Sequence, residues 1–451
     1  MLSIRNNIIL IPFLALTSCA KDLDTPYQTT LPHLETVQDA QSLLDNPVVM
    51  NYNKPMLTEF GTDNFFVPGS IWVSLSPLYK FSYTWDPDPF RNEEVPDWSK
   101  PYSVVIYSNL VMQTLNDLSA LAGTDDYRNV MGQALFHRGS AFFDIAQLFC
   151  KPYTTSGAST DLGIPLVFST DAAQKTKRST VQQTYDQITK DLVEAEKLLP
   201  TSANIKSRPS KAAANALLSR VYLSQNNFDS ALFYANKALS INHTLIDYNQ
   251  VPNSSLPFRD FKDEVIWEAI MTASAVFNQS SYCPVDSVLY NSYHDNDLRK
   301  TLFFNFSGGQ ALFKGTYEGS RIASKFCGLS VDELYLTRAE CFARKDQVNE
   351  AMIDLNTLME KRWTNNTGFA PFTAVNKQEA LEHILTERRK ELVFRGIRWM
   401  DLRRLNLLGA GINIKRIVND VTYTLEAGDK KYTYPIPKHE LSLNPMPDNP
   451  R

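Results

Sequence analysis

Two helical hairpins, far apart in the chain, constrain the fold most strongly. The spacing of apolar residues predicts helices from Lys211 to Leu223 and from Asn227 to Ile241, with only Ser224-Gln225-Asn226 between them. So short a connection makes the two run antiparallel and in contact. Ala231, Ala235 and Ala238 line one face of the second helix, and the first of them lies nine residues after Tyr222. Side chains this small let two helix backbones approach closely. The same offset separates Phe342 from Ala351 in a second predicted hairpin, Val331 to Arg344 followed by Val348 to Arg362. A helix pair cannot bury its apolar face alone, so such units must stack on further helices.

This is the spacing of a tetratricopeptide-like unit, although the two units stand about 120 residues apart and not in tandem. The same periodicity predicts helices over 34–44, 102–118, 127–148, 181–199 and 377–395. Seventeen Gly and 24 Pro in 451 residues fall below the usual share of roughly 12 per cent, which favours helices over turn-rich sheets. The fold class is therefore mainly α, with helical repeats within 102–241 and 331–404. Two segments break the pattern. Residues 59–101 and 242–330 carry many Phe, Tyr and Trp among Gly, Pro, Ser, Asn and Asp with no helical period, so they are predicted as long ordered loops, a common seat of function. A formal net charge of -4 over the whole chain argues against nucleic acid as a partner.

Leu16-Thr17-Ser18-Cys19 closes a short apolar leader in which Arg5 is the one charged residue. The run Ile8 to Leu16 is too short to span a bilayer core of roughly 30 Å and suits a signal-peptide core. The four residues resemble a bacterial lipobox. Cleavage before Cys19 would remove residues 1–18 and leave a thiol that carries diacylglycerol. Each buried methylene of its palmitate-type chains would contribute about 0.8 kcal/mol of membrane attachment. Residues 19–32 would then be a polar tether and 33–451 a single domain. The acids and lysine after Cys19 resemble a surface-export tag. Of the other cysteines, Cys150, Cys283, Cys327 and Cys341 lack the spacing of a disulfide scaffold or zinc site. Free thiols and a Cys283–Cys327 bridge both remain open.

The run from Glu387 to Arg404, Glu-Arg-Arg-Lys-Glu-Leu-Val-Phe-Arg-Gly-Ile-Arg-Trp-Met-Asp-Leu-Arg-Arg, resembles the C-terminal signature of the SusD/RagB family of outer-membrane nutrient-binding lipoproteins of Bacteroidetes. Tyr434 to Pro445, Leu334 to Glu340, and Ala134 to Phe149 followed by Gly163-Ile164-Pro165 are similar to further segments of that family, in the same order. The resemblance implies a scaffold of about four tetratricopeptide-like helix pairs with loops and a few short strands packed on it. It also implies a TonB-dependent transporter of the SusC type as partner, an oligosaccharide or peptide as ligand, and no catalysis and no cofactor. Within the signature, Arg388, Glu391, Arg398, Trp399 and Asp401 are expected to lock the last helix to the scaffold. Arg388 interrupts an apolar stripe and so calls for a carboxylate.

An oligomer held without covalent chemistry needs flat apolar faces with polar edges, which Trp and Tyr supply. In this family the groove is built from loops outside the repeats. That points to Asp63, Asn64, Trp72, Tyr79 and Trp85 in the first loop segment and to Tyr290 and Tyr293 in the second. The bland alternative is that these aromatics form satellite cores. The six His show no metalloprotease spacing, and no G-x-S-x-G elbow occurs. His294 beside Asp295 and Asp297 reads as a solvated loop in preference to a metal site. Glycans are the expected cargo; a peptide ligand, or an envelope-assembly scaffold without small ligand, are the alternatives.

Overall fold

The computed structural model describes residues 31–451 apart from 172–173, 261, 275 and 319–324. The expected leader, Cys19 and nearly all of the tether lie outside the described residues. Most long helices start where a side chain takes over the free backbone amides. Thr124 accepts from the Tyr127 amide ahead of the helix Asp125–Phe149, and Thr180 forms a capping box with Gln183 ahead of Val181–Leu198. Ser210, Asn227 and Asn376 cap Lys211–Ser224, Phe228–Ile241 and Lys377–Glu391 in the same way. Pro96–Asp117 begins well before the expected start, because a proline at its first position is pre-set for a helix and Pro101 is carried inside at the loss of one helical hydrogen bond.

The two hairpins share one turn. Asn226 and Asp346 are both left-handed, at φ 57° and 60°, a conformation that Asn and Asp tolerate. In each, the residue after it donates to the carbonyl five positions back: Asn227 to Tyr222 at 3.0 Å and Gln347 to Phe342 at 2.9 Å. Although distant in sequence, the hairpins are neighbours in space, because Phe228–Ile241 packs on Val331–Arg344. Pro96–Asp117, Asp125–Phe149, Val181–Leu198, Lys211–Ser224, Phe228–Ile241, Val331–Arg344, Val348–Glu360 and Lys377–Glu391 thus form a stack of successive neighbours. That is the four-pair scaffold. Among the described residues four two-stranded antiparallel sheets decorate it, and residues 35–451 form one compact unit. Among the described residues no helix is long and apolar enough to cross a membrane.

Two expectations change, and one open alternative is settled. Residues 59–101 are not all loop: they hold the short helices Gly69–Ser74 and Pro77–Tyr83 and the start of Pro96–Asp117, pieces too brief to show a helical period. The last helix stops at Glu391, because Phe394 and Gly396 turn the chain at φ 57° and 69° before Arg398–Leu407 begins. Cys283 and Cys327 are not bridged: all four described cysteines are free thiols. The Cys283 sulfur faces the Gln279 carbonyl, whereas Cys327 lines a cavity of about 40 Å³ beside Lys54 and Arg220.

The centre of the molecule is charged as well as apolar. Arg388 donates to Asp401 at 2.9 Å, and Arg404 reaches the same carboxylate at 2.8 Å and Glu340 at 2.7 Å. Arg299 is fully buried among Asp297, Glu387 and Glu391, and Arg362 joins Glu391 at 2.7 Å to Glu264 at 2.7 Å. These pairs tie the signature helices to Val331–Arg344 and to the second loop segment. Breaking one strands buried charge, which costs roughly 3–5 kcal/mol. Arg299→Met removes the cation shared by three buried carboxylates, so its unfolding free energy from urea titration should fall by an amount in that range. A loss below about 1 kcal/mol, the value of a surface pair, would reject this role.

Candidate ligand-binding face

The two loop segments are stitched together. The Asp286 amide donates to the Asn64 carbonyl at 2.9 Å, and the Phe66 amide donates to the Pro284 carbonyl at 3.0 Å. An antiparallel bridge joins Phe65 to Val285, whose amide donates in turn to the Ala311 carbonyl at 2.9 Å. Side chains alternate across such extended backbone. Phe65 therefore turns inward to Phe60, Tyr83, Phe277 and Phe394, while Phe66 is 37% exposed.

The hairpin of Phe304–Ser307 and Gln310–Phe313 projects beside this seam. Its turn is Gly308-Gly309 at φ 58° and 76°, a pair of left-handed positions that glycine fills without strain. Phe306 sits just before the turn, 59% exposed, and stacks on Tyr290 at 5.5 Å and 16°. The Lys300 ammonium lies 5.6 Å from the Tyr290 ring. Tyr290 is thus a half-buried backing plate, and Phe306 offers the open ring face.

Trp72 is half-buried, its indole donating to the Lys80 carbonyl at 3.2 Å with the Lys80 ammonium 5.1 Å from the ring. Tyr79 is half-buried against Phe60 at 5.6 Å. Trp72, Tyr79 and Tyr290 therefore keep solvent access. Three expected groove residues do not. Trp85 is 1% exposed, its indole donating to the Gly61 carbonyl at 3.0 Å under the Arg416 guanidinium. Asn64 is 1% exposed and donates to Glu59 at 2.7 Å; Tyr293 is 1% exposed and donates to the Lys390 carbonyl at 2.7 Å. These three belong to the core, where no external ligand reaches them. Asp63 is occupied as well: Arg398 clamps both its oxygens at 2.7 and 2.8 Å, and Arg389 lies at 3.1 Å. Burial alone would raise its pKa, but the Arg398 guanidinium overrides this and holds the carboxyl well below the usual range.

Sequence reasoning passed over Phe66 and Phe306. A readable signal existed for Phe306, since the run Phe304-Asn305-Phe306-Ser307 before Gly308-Gly309 is an alternating strand ahead of a hairpin turn.

The base of the face is held by the signature. Besides Arg398, Trp399 is fully buried, and its ring would lie 2.5 Å from a Cβ built on Gly61, so no larger residue fits there. The Gly396 amide donates to Glu59 at 3.1 Å, and Arg416 donates to the Phe60, Thr62 and Tyr83 carbonyls. His294, Asp295 and Asp297 diverge: His294 stacks on Trp363 at 5.1 Å, Asp295 is exposed beside Lys300, and Asp297 turns inward to Arg299. Glu264, Asp332 and Glu391 bring carboxylate oxygens within 4.8 Å of one another, where Arg362 and Arg395 supply the counter-charge.

Glu59 gives this base a pH signature. Burial raises its carboxyl from 4.5 to about 7, against the lowering effect of hydrogen bonds from Asn64, Gly396 and Thr62. The folded state thus binds the proton more tightly than the unfolded chain, and stability falls as pH rises from about 4.5 to about 7. Glu59→Gln removes that loss. Unfolding free energies from urea titration should show the variant gaining on the parent by roughly 3 kcal/mol across this window, with a constant difference above it. A difference that does not change with pH would refute the assignment.

Two family profiles match the chain, together covering well over half of it: "Starch-binding associating with outer membrane" over residues 23–223 and "SusD family" over residues 331–449. Two SusD-like proteins of Formosa agariphila are 23% and 24% identical over 421 and 390 residues, covering 78% and 70% of this chain and 79% and 73% of their own. Among solved structures, a SusD superfamily protein of Bacteroides thetaiotaomicron superposes with a TM-score of 0.74 at 24% identity, over 92% of this chain and 100% of its own. A SusD-like carbohydrate-binding protein of Bacteroides vulgatus gives 0.68 at 21%, over 91% and 97%. A laminarin-binding SusD-like protein gives 0.68 at 19%, over 92% and 99%.

Proposed function

The chain belongs to the SusD/RagB family, and on that premise we propose that it binds a nutrient oligosaccharide at the cell surface and delivers it to a TonB-dependent transporter of the SusC type. The observation that carries this reading is the aromatic surface kept in solvent by Phe66, by Phe306 stacked on Tyr290 and by the half-buried Trp72, all on short elements outside the helical repeats. Ring faces accept the apolar side of a sugar ring, and neighbouring amides and hydroxyls meet its rim. Binding of this kind leaves every covalent bond of the ligand intact. Diacylglycerol on Cys19 would hold the protein on the outer membrane with the face free to meet ligand outside the cell. A family profile described as associating with the outer membrane supports that placement.

Titration of the purified protein against neutral glycans and against peptides tests the reading. Saturable glycan binding supports it. Peptide binding alone would move the chain to a peptide-taking role, and binding of neither would leave an assembly scaffold. Phe306→Ala should weaken glycan affinity about tenfold, because an aromatic contact contributes about 0.5–1.5 kcal/mol beyond the area it buries. Its melting temperature should stay unchanged, since the ring is already exposed. Trp85→Ala should do the reverse, lowering stability by roughly 3–5 kcal/mol as a packed Trp does. Lowered melting without loss of affinity in Phe306→Ala would remove Phe306 from the face. Cys19→Ala should release the protein from the membrane fraction, and full retention would contradict the anchor.

A further inference from the structure

A second pocket, of about 500 Å³, lies at the end of the Arg398–Leu407 helix, between the start of the loop after Phe149, residues 428–433 and the C-terminal tail. It shares no segment with the aromatic face. Its volume falls within the range of roughly 300–1,000 Å³ typical of small-molecule sites. The walls are pinned independently, so the space is preformed. The Asn449 side chain donates to the Phe149 and Tyr434 carbonyls, both at 2.8 Å. Asn406 accepts from the Ile412 amide at 2.8 Å and donates to the Ile412 carbonyl at 3.1 Å. Arg403 donates to the Gln147 and Cys150 carbonyls at the end of the Asp125–Phe149 helix.

The lining has an apolar side and a cationic side. Pro152, Pro450 and Leu407, the last 44% exposed, supply the first. The second holds Lys151, Arg403 and Lys430 against a single acid, Asp429. Lys151 is paired with Asp161 at 2.5 Å, and Asp429 is engaged with Lys431. Arg403 and Lys430 have no carboxylate partner among the described residues. The Tyr432 hydroxyl accepts from Asn406 at 3.5 Å and still has its own hydrogen to give. An anion with an apolar body complements this lining; a neutral or cationic ligand does not. We propose that the pocket binds a small organic carboxylate, its anionic group taken by Lys430 and the Tyr432 hydroxyl and its body laid against Leu407.

Calorimetric titration of the full-length protein with phenylacetate and hexanoate, and with phenylacetamide as the uncharged counterpart of the first, tests this. At least one acid should bind saturably, and the amide about tenfold or more weakly than phenylacetate. Lys430→Met should weaken acid binding about tenfold, and Leu407→Trp should abolish it by filling the space. Both residues are exposed, so melting should be unchanged, which separates loss of the pocket from loss of the fold. No saturable binding of either acid at millimolar concentration, equal binding of acid and amide, or binding that survives Leu407→Trp would each overturn the proposal. Glycan affinity should not change in either variant, so the result is independent of the aromatic face.

Discussion

Burying arginine among carboxylates is the constraint on which the rest of the structure hangs. Arg388, Arg404, Arg299 and Arg362 are each almost wholly out of solvent, and each is matched to at least one buried acid. A buried pair adds little net stability over an apolar substitute of the same shape, but breaking one is expensive. The effect is one of placement. Helices that shed the pairing would expose the molecule to uncompensated charge, so the Lys377–Glu391 and Arg398–Leu407 helices can dock in one position only.

Two residues after Asp401 the logic changes. Arg403 and Arg416 reach backbone carbonyls at the end of the Asp125–Phe149 helix and at the base of the first loop segment. Carbonyls at a helix end carry partial negative charge and welcome a cation. A guanidinium can therefore fasten irregular backbone that has no side chain to offer. Arg398 does the same work through Asp63, and Trp399 presses on Gly61. The aromatic face is thus carried on a base that the scaffold holds from below, and ligand binding need not order it. Preorganisation of this kind lowers the entropic cost of association.

The helical scaffold was legible because its signals are local and repeated. The nine-residue offsets from Tyr222 and Phe342 can be counted along the chain. The loop face was legible only in outline. Trp72 and Trp85 look alike in sequence, each an indole among small and polar residues. What separates them is the φ of 53° at Trp85 and the arrival of Arg416 from over three hundred residues away. Nothing local announces that contact. Tyr290 and Tyr293 differ for a similar reason: both rings pack on Phe304, but Tyr290 lies outward against Phe306 while Tyr293 is buried with its hydroxyl on the Lys390 carbonyl. Asp63 and Asn64 were drawn to the right segment and given the wrong partner, since their partners stand in the signature and in Glu59.

This division between base and tip bears on how such a chain can alter what it binds. Substituting Glu391, Arg388 or Trp399 disturbs groups that are buried and shared, so each change spreads to several elements. Phe66 and Phe306 touch few neighbours on their outer sides and sit on an extended seam and a Gly-Gly turn. Distant sites with no shared partners combine additively in their energetic effects. Changes at the tips therefore alter the surface offered to a ligand while the arginine pairs continue to hold the fold. Recognition can vary on a scaffold that does not, because the exposed rings are not members of the buried arginine pairs.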